Sequence, residues 1–212
     1  MQVVFLHAKQ SPKYADIMVM SAARFGYELI QLTDRDTPEV KGVHKVVRLP
    51  WSGTHVMTYK LDHLSRIDYP CLIVDTDVIF QKDIAPILRN DFDVALTRRV
   101  GSIYDTDGVD VTIEMPYNCG VMFSKCQDFW RAALRTCKGY SESRQTWYGD
   151  QHAVKEIAPR FNVLELPCSE YNYTPSSISE DLSDKKIVHY KGKRKDWMWL
   201  PSPTDEASLF LA

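Results

Sequence analysis

Short apolar runs alternate with helically spaced apolar residues along almost the whole of this sequence, and that alternation constrains the fold more than any other feature. A strand, a helix and a further strand close into a parallel sheet with helices packed on its faces. Residues 3–6 form the first such run. Ser11 and Pro12 then supply a cap and a first helical residue, Tyr14, Met18, Ala22 and Phe25 follow at helical spacing, and Gly26 stops the pattern. Further strands are expected at residues 27–32, 45–49, 71–74, 93–96, 120–123, 163–166 and 187–190. Met57, Leu61 and Leu64 mark one helix face, and Trp130, Leu134 and Cys137 mark another, entered through a capping box of Ser124 and Gln127 and ended by Gly139.

The 212 residues suit one α/β domain that buries about 70% of its unfolded surface. Hydrophobic residues at 44% and charged residues at 25% exclude disordered, collagen-like and fibrous classes. A net charge of -2 gives no overall attraction to nucleic acid or anionic membranes. The first apolar run is too short for a signal peptide, and the run at 71–74 is cut off by Asp75, so no membrane segment and a cytoplasmic location are expected. Cys71, Cys119, Cys126, Cys137 and Cys168 are odd in number and lack a CxxC pair, which points to reduced thiols. Residues 98–117 and 168–185 lack periodicity and are expected as long surface loops, of the kind that serve as lids or mobile segments.

Carboxylates two residues apart occur at Asp75/Asp77, Asp91/Asp93 and Asp105/Asp107, so spacing alone decides nothing. Ligands of open α/β sheets gather beyond the carboxyl ends of strands, and only Asp75 and Asp77 follow a buried run, Leu72-Ile73-Val74. Two carboxylates at the edge of a core repel each other and are relieved by a cation. Oxygen ligands select magnesium, manganese or calcium, and a nearby imidazole tilts the choice toward manganese. The plainer alternative has Asp75 capping a turn and Asp77 facing water. Asp105-Thr106-Asp107-Gly108 lacks EF-hand spacing and reads as a turn.

Near the C-terminus, Ile187-Val188 delivers His189 to a strand end, with Lys191-Gly192-Lys193-Arg194-Lys195 after it. There His189 would be a neutral nitrogen ligand, Gly192 would admit close backbone approach and Lys195 would neutralise a diphosphate. A solvated basic run with an ordinary histidine is the competing reading.

These residues resemble the retaining, nucleotide-sugar-dependent glycosyltransferases of family 8, which include glycogenin-like and lipopolysaccharide galactosyltransferase-like enzymes. Four segments carry the resemblance in the family's order: residues 72–80 with Asp83-Ile84, Tyr117-Asn118-Cys119-Gly120-Val121-Met122, Gly149-Asp150-Gln151, and residues 189–197. The last matches H-x-x-G-x-x-K-x-W, with Asp196 where proline is usual.

The resemblance implies a single GT-A-type domain over 1–212 with a mostly parallel central sheet flanked by helices, residues 1–75 forming the nucleotide-binding half and 76–212 the sugar and acceptor half. It implies that Asp75, Asp77 and His189 bind Mn2+ (or Mg2+), that Gly192 and Lys195 contact the diphosphate, and that Thr76 lies among the donor contacts. Asn118, Asp150 and Gln151 would face the donor sugar, with Asp150 or Gln151 near the reacting carbon. Lys60 sits where the family often has a donor-binding arginine; a lysine snorkelling beside the Met57, Leu61, Leu64 face is the equal alternative. Asp150 has a first-turn helix role as its alternative, Gln151 simple exposure, and Asn118 a turn before its strand, although Gly120 beside it could admit a ligand. After the first strand the family has an acidic residue, whereas this chain has His7-Ala8-Lys9-Gln10, which leaves His7, Ala8 and Tyr14 to line a nucleotide pocket.

The activity implied is transfer of a hexose from a nucleotide-diphosphate sugar, a UDP-sugar, to an acceptor hydroxyl on a carbohydrate or similar molecule, with retention of configuration. Residues 98–117 would form an acceptor-side lid. Two rivals stand beside it. A haloacid dehalogenase-type magnesium phosphatase would use Asp75 as nucleophile, and a sugar-nucleotide-binding protein would hold the same ligands without catalysis.

Overall fold

The computed structural model describes residues 1–51, 55–102, 104, 110–146 and 148–199. Its elements run β1 (Gln2–Leu6), α1 (Lys13–Ala23), β2 (Glu28–Thr33), β3 (Lys45–Arg48), α2 (Val56–Leu64), β4 (Cys71–Val74), β5 (Val78–Phe80), β6 (Val94–Arg98), β7 (Tyr117–Ser124), α3 (Gln127–Lys138), α4 (Gly149–Ile157), β8 (Val163–Pro167), α5 (Cys168–Tyr171) and β9 (Ile187–His189). A 3-10 helix, Gly192–Trp199, follows β9. Seven strands form one sheet in the order β3-β2-β1-β4-β7-β6-β8. Every neighbouring pair is parallel except the two made by β7. The expectation of a mostly parallel, helix-flanked α/β domain therefore holds.

Alternate residues of each central strand feed opposite cores, as the two-residue period of a strand requires. Val3, Phe5, Leu72, Val74, Val121 and Phe123 pack with Ala15, Met18, Val19 and Ala22 of α1. Val4, Ile73, Leu96 and Met122 face the other way, onto Leu61 and Leu64 of α2, Phe129, Trp130 and Ala133 of α3, and Val154 and Ile157 of α4. Each fully buried side chain of this size contributes about 1.5–3 kcal/mol.

Several local expectations need correction. No capping box opens α3: its N-cap is Cys126, and the Ser124 hydroxyl instead accepts the indole N–H of Trp130 at 2.7 Å. Leu134 is only half-buried, and Phe129 and Ala133 fill the stripe assigned to it. The apolar pattern at 187–190 does yield a strand, but β9 does not join the large sheet. It pairs antiparallel with β5, a strand the pattern missed, setting Val78 opposite His189 and Phe80 opposite Ile187. The segment 168–185 is not wholly irregular, since α5 opens it. All five cysteines are free. Among the described residues, no helix is long and apolar enough to cross a membrane. Asp105 and Asp107, with the turn assigned there, lie outside the described residues.

Candidate metal centre and adjoining pocket

Three elements converge at the carboxyl end of β4. The strand delivers Asp75 and Asp77 to the turn that leads into β5, and the β5–β9 ribbon returns His189 beside them. One ligand atom from each of Asp75, Asp77 and His189 lies within 4.8 Å of the others. His189 Nε2 is 3.0 Å from Asp77 Oδ1 and 3.9 Å from Asp75 Oδ2. Asp77 and His189 are buried, whereas the Asp75 side chain is 39% exposed and opens the cluster to solvent.

The orientation of the imidazole is fixed from behind. Asn172, 1% exposed, donates its amide N–H groups to Thr97 Oγ1 at 2.7 Å and to the carbonyl of Asn118 at 3.1 Å. Its Oδ1 is thereby turned to His189 Nδ1 at 2.7 Å and accepts the proton carried there. Nε2 then points at the two carboxylates with its lone pair available, the arrangement of a metal-ligating histidine with an oriented outer partner. One imidazole and two carboxylates suit a divalent ion that takes mixed nitrogen and oxygen ligands. The donor set fits the group expected from the sequence.

Backbone geometry makes room for this cluster. β7 pairs with β4 through Val121, yet its register against β6 jumps between Leu96, opposite Met122, and Thr97, opposite Asn118. The bulge carries Gly120, and a Cβ on Gly120 would stand 2.5 Å from Nδ1 and closer still to Cε1 of His189. The space at Gly120 thus admits the imidazole of His189 rather than a ligand. Bulges beside sites of this kind re-aim side chains in the same way.

Cations complete the surroundings. Lys195, on the C-terminal 3-10 helix, places Nζ 3.0 Å from Asp77 Oδ2. Burial raises the pKa of Asp77, but the His189 imidazole and the Lys195 ammonium overcome it and hold the carboxyl well below the usual range. Lys60, in α2, is 5% exposed and does not snorkel outward. Its ammonium donates to Asp75 Oδ1 at 2.8 Å and to the carbonyl of Cys119 at 3.0 Å, and stands 3.7 Å from Asp150 Oδ2. Burial opposes the charge on Lys60, and Asp75 and Asp150 outweigh it, so the pKa lies above its ordinary value. Asp150, at the start of α4 and 3% exposed, is pushed up by burial, with Lys60 pulling the other way.

The remaining expected residues are distributed as follows. Thr76 is half-buried in the turn between the two aspartates. Asn118 is 6% exposed inside β7, not in a turn before it, and its Oδ1 accepts the N–H of Gly120 at 3.0 Å. Gln151 is not simply exposed, since its Oε1 accepts from Arg99 Nη2. Gly192 takes a φ of +59°, the left-handed conformation that glycine adopts without strain, where the chain turns from β9 into the 3-10 helix. His7 and Ala8 are buried just past β1, and burial pulls the His7 pKa down against the influence of Asp16 and Asp34. Tyr14, on α1, directs its hydroxyl to Asp196 at 3.4 Å, and Lys195 Nζ lies 5.6 Å from its ring centre.

Three contributors escaped sequence reasoning: Asn172, Thr97 and Arg99. Arg99 stands just beyond β6, where its Nε donates to the carbonyl of Met115 at 2.8 Å. With Asn118, Asn172 and Lys191 it lines a cavity of about 200 Å³ next to the metal-ligand cluster. Burial and the neighbouring Arg99 push Lys191 down to about 8. An isolated asparagine in a serine-rich stretch, or an arginine in an aperiodic one, gives no pattern that marks it.

No protein-family model matches the sequence, and no curated protein matches it. Solved structures do. GlyE, a glycosyltransferase of Streptococcus pneumoniae TIGR4, superposes with a TM-score of 0.62 at 16% identity over 95% of this chain. A glycosyltransferase involved in glycosylation of the major capsid of PBCV-1 gives 0.64 at 14% identity, covering 93% of this chain and 96% of its own. The galactosyltransferase LgtC, solved with donor and acceptor sugar analogues, gives 0.57 at 13% identity, covering 91% and 88%. The chain spans 56% of the length of GlyE. At such identities the likeness concerns architecture alone: the chain has the GT-A-type glycosyltransferase fold, with its mostly parallel seven-stranded sheet.

Proposed function

We propose that this chain is a metal-dependent glycosyltransferase that moves a hexose from a nucleotide-diphosphate sugar, a UDP-sugar, to an acceptor hydroxyl with retention at the anomeric carbon. The observation that carries the reading is the meeting of Asp75, Asp77 and the Asn172-oriented His189 at the carboxyl end of a GT-A-type sheet.

In this reading the two carboxylates and Nε2 of His189 hold Mn2+. A bound divalent ion supplies Lewis-acid neutralisation of the charge that develops on the departing diphosphate, a contribution of several kcal/mol. Lys195 adds a second positive charge on the same side, and Gly192 lets the backbone come close to the phosphates. His7, Ala8 and Tyr14 belong to the nucleotide side, with Thr76 between the metal ligands. Asn118 and Gln151 orient the sugar, and Asp150 stabilises cationic character at its reacting carbon while Lys60 holds Asp75 and Asp150 in place.

The experiment is a thermal-shift screen of nucleotide sugars with and without Mn2+, followed by an assay of transfer and donor hydrolysis. A donor that stabilises the protein only with metal, and is turned over by the wild type but not by Asp77→Ala, is the expected result. Stabilisation without turnover would indicate a binding protein. Trapping of a phosphoryl mimic on Asp75, with no donor effect, would indicate the phosphatase.

A further inference from the structure

Two cations, Arg99 and Lys191, line the cavity beside the metal-ligand cluster, and no carboxylate lines it among the described residues. Lys191 forms no ion pair or side-chain hydrogen bond among the described residues, so its charge has no partner in the wall. Among the described residues, Arg99 is committed on one edge, to the carbonyl of Met115 and to Gln151 Oε1, both uncharged acceptors. Two like charges in a half-buried pocket repel each other and lose hydration, a cost that an anion with several acceptor oxygens relieves through charge-assisted hydrogen bonds.

The position of the cavity indicates which substrate would bring that anion. Its walls come from Arg99, just beyond β6, from Ser169 of α5, the helix that follows β8 directly, and from Asn118 and Asn172. These belong to the β7-β6-β8 side of the sheet, whereas His7 and Ala8 lie at the end of β1 on the other side of β4. On the donor reading above, the diphosphate is already met by the metal ligands and Lys195. Uncharged hydrogen-bonding groups around the cations, Ser169 and Thr174, suit the hydroxyls of a sugar.

We propose that this cavity is an acceptor subsite for an anionic sugar, one bearing a carboxylate or phosphate group held between Arg99 and Lys191. The inference rests on the glycosyltransferase reading and adds the acceptor's chemical class.

The test is equilibrium binding of glucose, glucuronate and glucose 6-phosphate to the protein loaded with Mn2+ and UDP, with the affinity of UDP measured first. At least one anionic sugar should bind tenfold or more tightly than glucose. Lys191→Gln should reduce that preference to threefold or less while changing UDP affinity by less than threefold. Glucuronate favoured alone would identify a carboxylate site, and glucose 6-phosphate alone a phosphate site. Equal binding of all three sugars to the wild type would overturn the inference without recourse to any variant. A preference that survives Lys191→Gln, or a larger loss of UDP than of sugar affinity, would also overturn it, the latter assigning the cations to the diphosphate. Absence of UDP binding in the presence of Mn2+ would remove the donor reading and this inference with it, an outcome distinct from UDP binding without sugar selectivity.

Discussion

The imidazole of His189 lies where a side chain on residue 120 would have to be: a Cβ at Gly120 would stand 2.5 Å from Nδ1, and also 3.1 Å from Asp75 Oδ2. Absence of a side chain at this point of β7 is thus part of how His189 and Asp75 are brought together.

Gly120→Ala should displace the ring, because the closest contact is with the buried imidazole of His189, which has little room to give. We expect Mn2+ affinity to fall at least tenfold and the fold to lose about 1–3 kcal/mol, the usual cost of overpacking. Isothermal titration with Mn2+ alone checks the first, and urea denaturation the second. Wild-type affinity in the variant would contradict the assigned crowding.

Asn172→Ala removes the acceptor that fixes His189 Nδ1–H. Loss of an outer partner of this kind costs roughly 10–100-fold in metal affinity. Asn172→Asp, which retains an acceptor oxygen, should recover part of it. Equal affinities for the two variants would mean that Asn172 serves the core and not the imidazole.

Lys60→Met should destabilise the protein by about 3–5 kcal/mol, since it strands the buried Asp150 and leaves Asp75 Oδ1 without its closest cation. The double variant Lys60→Met/Asp150→Asn, which removes the stranded charge as well, should regain most of that loss. Denaturant midpoints of the two proteins decide the matter, and additive losses would argue against a coupled pair.

His63 gives the fold a dependence on pH away from the metal ligands. It is 1% exposed and packs edge-on to Tyr59, with ring centres 4.7 Å apart. Burial brings its pKa down to about 4, with Asp62 and Arg66 acting in opposite senses. In the unfolded chain the ring titrates near 6.5, so between about 4 and 6.5 the unfolded state binds more protons. Stability from this residue is complete above that window and falls as pH drops through it, by about 2 kcal/mol between pH 7 and pH 5. His63→Leu should flatten this part of the profile in urea melts, and an unchanged slope would exclude the residue as its source.

The sheet was legible in the sequence because runs such as Leu72-Ile73-Val74 are buried on both faces, and continuous apolarity is the signature of that environment. Asp75 and Asp77 could be singled out because a strand exit in an open α/β sheet is where ligands collect. The partner of β9 could not be read, since three residues matching three others carry too little pattern to select one pairing among several. Nor could Asn172 be found: its role comes from hydrogen bonds to Thr97, the Asn118 carbonyl and His189, contacts that exist only after distant segments meet. Ser124 misled for a related reason, as a hydroxyl ahead of an amphipathic run suits both a helix cap and an indole partner. Packing chose the indole.

The small β5–β9 ribbon has a bearing on how the protein matures. It joins segments separated by most of the second half of the sequence, and closing so long a loop is entropically slow compared with the local strand-helix-strand units that precede it. Much of the central sheet can therefore assemble before His189 arrives, and an early collapsed species would hold two acidic ligands facing an empty third corner. If Asp75, Asp77 and His189 hold the proposed ion, the capacity to grip it would come late in folding, and its appearance in a refolding time course would report the docking of the last strand.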